Sequence, residues 1–274
     1  MTLSMVQRWI RFLALAVGMT FVAFPLYWMI LTAFTPKEYL FRPPYQLVRF
    51  DLTLQNIHEL LSATEFLVYL KNSLLVATGA VILNVVAATF AGYALSRYEF
   101  RLKQLFAQGT LLSYMFPPIL LAIPLYIILS DLGLRNSYTG LILAHVSISL
   151  PLNIWIMWQY FQIVPVSLEE AAWVSGASKL RGLLQVCLPS ALPGMLSVAI
   201  FAFALSWNDF AFAFILQTDT AMYTLPVGLA TFVERTAIHW GMIMSSSALI
   251  SIPTFAMVFL LQRYLISGLG IGGR

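Results

Sequence analysis

Apolar residues gather into six long runs along this chain, separated by stretches in which charged and polar residues recur. The runs are 12–34, 73–95, 105–130, 139–161, 191–217 and 241–262. Each has the roughly 20 mostly apolar residues that a helix needs to cross the hydrocarbon core of a bilayer. The pattern predicts an all-α membrane protein with six transmembrane helices, forming a single membrane domain over 1–274. The first run follows Arg8 and Arg11. It is longer than the apolar core of a secretion signal, and no small-residue cleavage site follows, so an uncleaved first span is expected.

Composition sharpens this reading. Charged residues make up 9% of the chain, against about 25% in a soluble domain, too few to cover a water-facing surface. Soluble enzyme folds are thereby excluded. Of the 15 Lys and Arg and 11 Asp and Glu, only Asp209 falls inside a run. Six spans put both termini on one side. That side carries nine Lys or Arg (Arg8, Arg11, Arg97, Arg101, Lys103, Lys179, Arg181, Arg263, Arg274), against six opposite (Lys37, Arg42, Arg49, Lys71, Arg135, Arg235). Basic residues favour cytoplasmic connectors, so both termini are expected in the cytoplasm of a bacterial inner membrane. The net charge of +4 does not imply nucleic acid, because no soluble basic stretch exists to bind it. Cys187 has no partner for a disulfide and no neighbouring His or Cys cluster for a metal.

Two connectors stand out by length. Residues 35–72 hold Pro36, Pro43 and Pro44, then an apolar-periodic stretch at 56–61 that predicts a short surface helix. It either meets an external partner or lies as a lid over the helix ends. The connector at 162–190 is more informative. Ser167 with Glu170 three residues later predicts a capping box and hence a helix start. Gly176 suits the end of that helix, where a positive φ is needed. Ser178 is placed to cap a second helix, and Pro189 to stop it before the fifth span. Ala171 and Ala172 leave one face shallow, so that another surface can approach the backbone.

This segment resembles the signature of the integral membrane subunits of ABC importers. Glu170-Ala171-Ala172 is followed by three residues, Gly176, the nine residues 177–185, and Val186-Cys187-Leu188-Pro189, and every element stands at the family's spacing. The resemblance implies a cytoplasmic coupling helix between the fourth and fifth spans that docks on a separate ATP-binding subunit. Glu169, Glu170, Ala171, Ala172, Gly176, Ala177, Leu188 and Pro189 are the residues implicated. Further matches run through nearly the whole chain and are similar to the sugar-type branch of these permeases. They include Gly92-Tyr93-Ala94-Leu95-Ser96-Arg97, Met115-Phe116-Pro117, Trp207-Asn208-Asp209-Phe210 and Thr224-Leu225-Pro226. The tail Gly270-Ile271-Gly272-Gly273-Arg274 departs from the usual ending. The resemblance also implies a second homologous permease subunit, two ATP-binding subunits that hold ATP and Mg, and an external substrate-binding protein.

A charge inside a span is costly and marks a candidate functional residue. Asp209 is that residue, preceded by Trp207 and Asn208. In the family this helix lines the central pathway, which would let Asn208 and Asp209 hydrogen-bond sugar hydroxyls; otherwise Asp209 pairs with a neighbouring helix or with Arg235. Asn84, Asn153, His145 and the run Ser245-Ser246-Ser247 are weaker pathway candidates, for which interhelical packing is the alternative. Pro25, Pro117, Pro118, Pro124, Pro151 and Pro253 are expected to kink or unwind their helices.

No phosphate-cradling Gly-x-x-x-x-Gly-Lys-Ser/Thr loop is present, so ATP hydrolysis is assigned to a partner and the chain is read as a transport subunit, not an enzyme. An ion-coupled secondary transporter would need more intramembrane ionisable groups and internal repeats. An intramembrane enzyme using Ser247 or His145 would need a nucleophile paired with a base, and the spacing shows none.

Overall fold

A computed structural model describes residues 5–40, 47–235 and 240–268, with side chains at all of these except 233–235 and 260–268. Regular structure among them is helical throughout. In chain order the α-helices are α1 (Met5–Ala33), α2 (Gln55–Ala63), α3 (Phe66–Arg97), α4 (Lys103–Tyr114), α5 (Ala122–Asp131), α6 (Tyr138–Ile163), α7 (Ser167–Val174), α8 (Lys179–Gly182), α9 (Leu188–Asn208), α10 (Ala211–Leu216), α11 (Leu225–Arg235) and α12 (Trp240–Gly268). Five helices are long and apolar enough to cross a membrane, one of them made of α8 and α9 joined through a π-helical turn at Leu183–Cys187. The bent pair of α4 and α5 brings the number to six.

Two of the expected spans are broken, one of them where prolines were expected to kink it. The run 105–130 bends by 96° between Lys103–Tyr114 and Pro118–Asp131. The cause is the pair Pro117-Pro118, since each proline pushes the residue before it out of the α region. Pro117 itself takes φ −58° and ψ 119°, and the chain resumes as a 3-10 turn at Pro118–Leu121. The run 191–217 is interrupted at Asp209, whose ψ of 125° is extended. No proline or glycine marks that break, which is why the apolar pattern reads straight through it.

The chain separates into two compact units, Met1–Leu67 with Leu229–Ile252 and Val68–Gly228 with Pro253–Arg274. In the first, α1 is exposed along nearly its whole length, with Ala33 its one buried residue, as suits a lipid-facing helix. The expected short helix in the 35–72 connector is α2. Its Asn56 is buried, and Nδ2 donates to Ala33 O at 2.9 Å and Thr35 O at 2.8 Å. Carbonyls at a helix C-terminus have no partner within the helix, so Asn56 closes the end of α1. Ser245 Oγ donates to the same Ala33 carbonyl at 3.2 Å, while Ser246 and Ser247 bond back to their own helix.

The second unit has two apolar clusters. One gathers Val76, Leu129, Leu141, Ile148, Phe212 and Leu216. The other lies toward α7 and gathers Ala88, Tyr93, Met157, Phe161, Leu183 and Cys187. Asn72 links the outer ends of α3 and α6 to the loop before α11. Its Nδ2 donates to Ala221 O and Tyr223 O at 2.8 and 2.9 Å, and its Oδ1 accepts from Tyr138 Oη at 2.7 Å.

Candidate functional site

The connector between α6 and α9 folds as a helix, a sharp turn and a second helix. Its start differs from expectation: the capping box of Ser167 and Glu170 does not form. The preceding residue, Val166, is the N-cap and makes no side-chain cap. The first amides go instead to backbone, Leu168 N to Pro165 O at 3.2 Å and Glu169 N to Val166 O at 2.9 Å. The other end is as expected. Gly176 has φ +89°; its N–H donates to Trp173 O at 2.9 Å, and that of Ala177 to Ala172 O at 3.0 Å. These two bonds make a Schellman closure, whose left-handed position suits glycine. Ser178 Oγ then accepts from Arg181 N at 3.3 Å and caps α8.

Pro189 does not stop the helix. Lys179–Asn208 runs on as one span, with Leu183–Cys187 widened into a π turn. Proline has no amide for the carbonyl four residues back, and its ring clashes with that carbonyl. Here that carbonyl belongs to Gln185, inside the widened turn, where the extra residue opens the ladder.

Two faces of α7 carry different residues. Glu170, Ala171, Trp173, Val174 and Gly176 are exposed, and Ala172 and Ala177 half-buried. The shallow outward face is therefore present. Leu188 packs against the second apolar cluster and Pro189 is exposed. Glu169 points the other way and is fully buried. Its Oε1 accepts from Arg97 Nε and its Oε2 from Tyr93 Oη at 2.7 Å. Burial alone would raise the Glu169 pKa, but hydrogen bonds from Cys187, Tyr93 and Arg97, with the charge of Arg97, hold it below the usual glutamate value. Arg97 also donates to Phe161 O at 2.8 Å and Val164 O at 2.9 Å, closing the C-terminal end of α6.

Gly92 makes this reach possible. A Cβ there would stand 2.6 Å from Met157 Cβ and 2.8 Å from Trp158 N, so only glycine lets α3 close against α6. Tyr93, Arg97 and Cys187 were not singled out as site residues from sequence. The available signal was an aromatic and an arginine four apart at the end of a span, which share one helix face.

The polar groups within the spans form two sets. Asn84, fully buried on α3, accepts at Oδ1 from Ser149 Oγ at 3.1 Å and Asn153 Nδ2 at 2.9 Å. Asn153 Oδ1 is buried with no hydrogen-bond partner among the described residues. Asn153 and Ser149 line a pocket of about 300 Å³ with Tyr114, Leu152, Phe201 and Ala204. In the second set, His145 bridges α6 to the interrupted helix. Its Nδ1 lies 2.8 Å from Ser206 Oγ and its Nε2 3.1 Å from Asp209 Oδ2. Asp209 also accepts from Phe212 N and Ala213 N at 3.3 and 2.9 Å, capping α10. Asn208 is exposed and donates to Ala204 O, while Trp207 is buried and stacked on Phe203 at 5.2 Å. The Arg235 side chain and the tail 269–274 lie outside the described residues.

Residues 84–270 match the family described as binding-protein-dependent transport system inner membrane component. The trehalose/maltose transport system permease protein MalG of Thermococcus litoralis is 36% identical over 252 residues, covering 91% of this chain and 90% of its own. The diacetylchitobiose uptake system permease protein DasC of Streptomyces coelicolor is 32% identical over 251 residues, 92% of this chain and 91% of its own. Among solved structures, the fold is similar to a chain of a bacterial ABC transporter involved in the import of the acidic polysaccharide alginate. That chain superposes with a TM-score of 0.84 at 19% identity, over 96% of this chain and 99% of the other.

Proposed function

This chain belongs to the family of binding-protein-dependent transport system inner membrane components, and we propose that it forms half of the pathway by which an ATP-driven importer takes up a sugar or sugar derivative. A second, homologous permease subunit completes the pathway. Two ATP-binding subunits, which hold ATP and Mg, grip the coupling loops of the two permeases, and an external binding protein delivers the sugar. Both termini lie in the cytoplasm, as the distribution of Lys and Arg favours.

The observation that carries this reading is the outward face of α7. Glu170, Ala171 and Ala172 lead into the Gly176 turn, and Glu170, Ala171, Val174 and Gly176 on that face are exposed. An exposed surface with Trp173, Val174 and Leu180 beside a carboxylate suits a partner protein better than water. Closure of the ATP-binding subunits moves this loop, and the spans switch between facing inward and outward. Along the pathway, Asn84, Asn153, Trp207, Asn208 and Asp209 are assigned to the sugar. The exposed Asn208 supports direct contact, whereas Asn84, Asn153, Trp207 and Asp209, which are buried or engaged within the chain, act by shaping the wall.

The relatives handle trehalose/maltose and diacetylchitobiose by name, which supports a disaccharide-sized substrate. The test is reconstitution of the chain with the subunits encoded beside it, using radiolabelled disaccharides bound by the associated external protein. Uptake is expected only with ATP and the ATP-binding subunits. Uptake in vesicles lacking them, driven by a proton or sodium gradient, would establish secondary transport instead.

A further inference from the structure

Two neighbouring carboxylates on α7 have opposite surroundings. Glu170 is open to a partner, whereas Glu169 has both oxygens occupied within the chain by Arg97 and Tyr93. Glu169 therefore has no free oxygen to offer an ATP-binding subunit. It is also the one buried residue of α7. An eight-residue helix is too short to hold itself together in water, and this one has no buried apolar side chain to seat it. Trp173, 36% exposed, lies against Gly182, and the ion pair is what ties the helix to α3.

The pair reaches further than α7. Arg97 is the last residue of α3, and its other donors hold Phe161 O and Val164 O at the end of α6. Cys187, in the π turn leading to α9, is buried in the same apolar cluster as Tyr93. One ion pair thus joins α7 to α3 and, through Arg97, to the end of α6. A carboxamide in place of Glu169 could still accept from Arg97 and donate to the Tyr93 oxygen, but it carries no charge to balance Arg97.

We propose that Glu169 is a positioning residue, a strut that makes α7 move as one body with α3 and α6, so that displacement of the outward face is passed to the spans instead of being absorbed in the loop. This rests on reading α7 as the docking helix. A hydrophobic contact would hold α7 against the spans, but a paired and hydrogen-bonded charge accepts fewer alternative arrangements, which is the use for which buried ionic groups are best attested.

The test uses the complete assembly with its partner subunits, spin-labelled at Glu99→Cys and Ser167→Cys, both positions exposed; the native Cys187 is buried and stays in place. Pulsed electron resonance reads the distance between the ends of α3 and α7. In the otherwise unsubstituted protein the distribution is expected to be narrow, with the same peak without nucleotide and with MgATP. In Glu169→Gln it is expected to be about twice as wide, and its peak to move with MgATP, because the neutral side chain leaves the largely buried Arg97 charge unpaired. Glu170→Ala is expected to keep the narrow, fixed distribution. A distance that moves with MgATP in the unsubstituted protein, an unchanged distribution in Glu169→Gln, or equal broadening in Glu170→Ala would each overturn the strut. If Glu169→Gln does not assemble, Tyr93→Phe decides: broadening supports the proposal and wild-type width refutes it. Loss of the ATP-binding subunits from Glu170→Ala is a separate readout. Their retention, with full ATP-driven uptake, counts against docking at α7 whatever the distances show.

Discussion

Gly176 and Glu169 carry opposite demands within one short loop. Around Gly176 nothing lies within 4 Å of a built Cβ, so space is not the constraint; the φ of +89° is. Gly176→Ala is expected to cost about 1–2 kcal/mol in the turn, because an L side chain disfavours the left-handed region. A β-branched residue should cost more. The check is ATP-driven uptake in proteoliposomes, expected to fall in the order Gly, Ala, Val at 176; full uptake by the Val variant would remove the turn from the coupling path. At Glu169 the constraint is electrostatic and depends on pH. Its folded pKa is depressed below 4.5 by its three partners despite burial. A carboxyl shifted this way adds stability that is complete above the unfolded value and is lost as pH falls through the lower folded value. Mobility of a spin label at Ser167 is therefore expected to stay constant between about pH 6 and 8 and to rise only well into the acid range. Loosening near neutral pH would contradict the assignment. Gly176 and Ser178 were legible in sequence because caps obey local rules. Arg97 was not, because its partners lie 64 to 72 residues away.

Elements meet where side chains are smallest or most polar. Gly92 brings α3 onto the backbone of α6 at Met157 and Trp158. Gly92→Ala is expected to lower stability by about 1–3 kcal/mol, the usual cost of overpacking a filled contact, seen as a lower unfolding temperature in detergent. An unchanged midpoint would mean that the helices separate freely. At the other broken element, Asp209 caps α10 and pairs with His145. Asp209→Ala is expected to destabilise by about 1–3 kcal/mol through lost caps and an unpaired imidazole. A variant that unfolds normally yet transports poorly would instead place Asp209 in direct contact with substrate. The interruption at Asp209 is hidden in the sequence because its flanks, Ala204 to Trp207 and Phe210 to Phe214, are as apolar as any helix interior. The bend at Pro117-Pro118 was signalled by composition, but only as a kink; its 96° extent comes from two successive residues forced out of the α region. Ser167 shows the reverse error. The Ser-x-x-Glu spacing was present, yet Pro165 and Val166 carbonyls reached the first amides before the hydroxyl.

For the whole molecule, the distribution of charge was enough to identify a membrane protein, since Asp209 alone interrupts the apolar runs. Membership of the importer family was legible because its signature groups stand at fixed spacing within one short loop, 170–189. Substrate identity was not, since hydroxyl recognition needs only amides and small polar groups, and membrane helices use the same groups to pack. Asn84 illustrates this: its side chain is occupied by Ala80, Ser149 and Asn153. Asn153→Ala is expected to change uptake selectivity among disaccharides by several fold while leaving assembly intact, the consequence of reshaping the wall of the pocket it lines. Equal loss for all sugars would indicate a packing role.

The π turn at Leu183–Cys187 has a consequence for chain length. A π turn holds one residue more than the α-helix it interrupts, and each residue advances a helix by about 100°. Deleting Gln185 should let Lys179–Asn208 close into an uninterrupted α-helix and rotate everything before it by about that angle. Glu169 would then face away from Arg97, and Glu170 would no longer point outward. The nine residues between Gly176 and Val186 thus act as a gauge, and insertions or deletions there should be far less tolerated than substitutions. A deletion scan of 179–187 scored by assembly with the ATP-binding subunits would measure that intolerance directly.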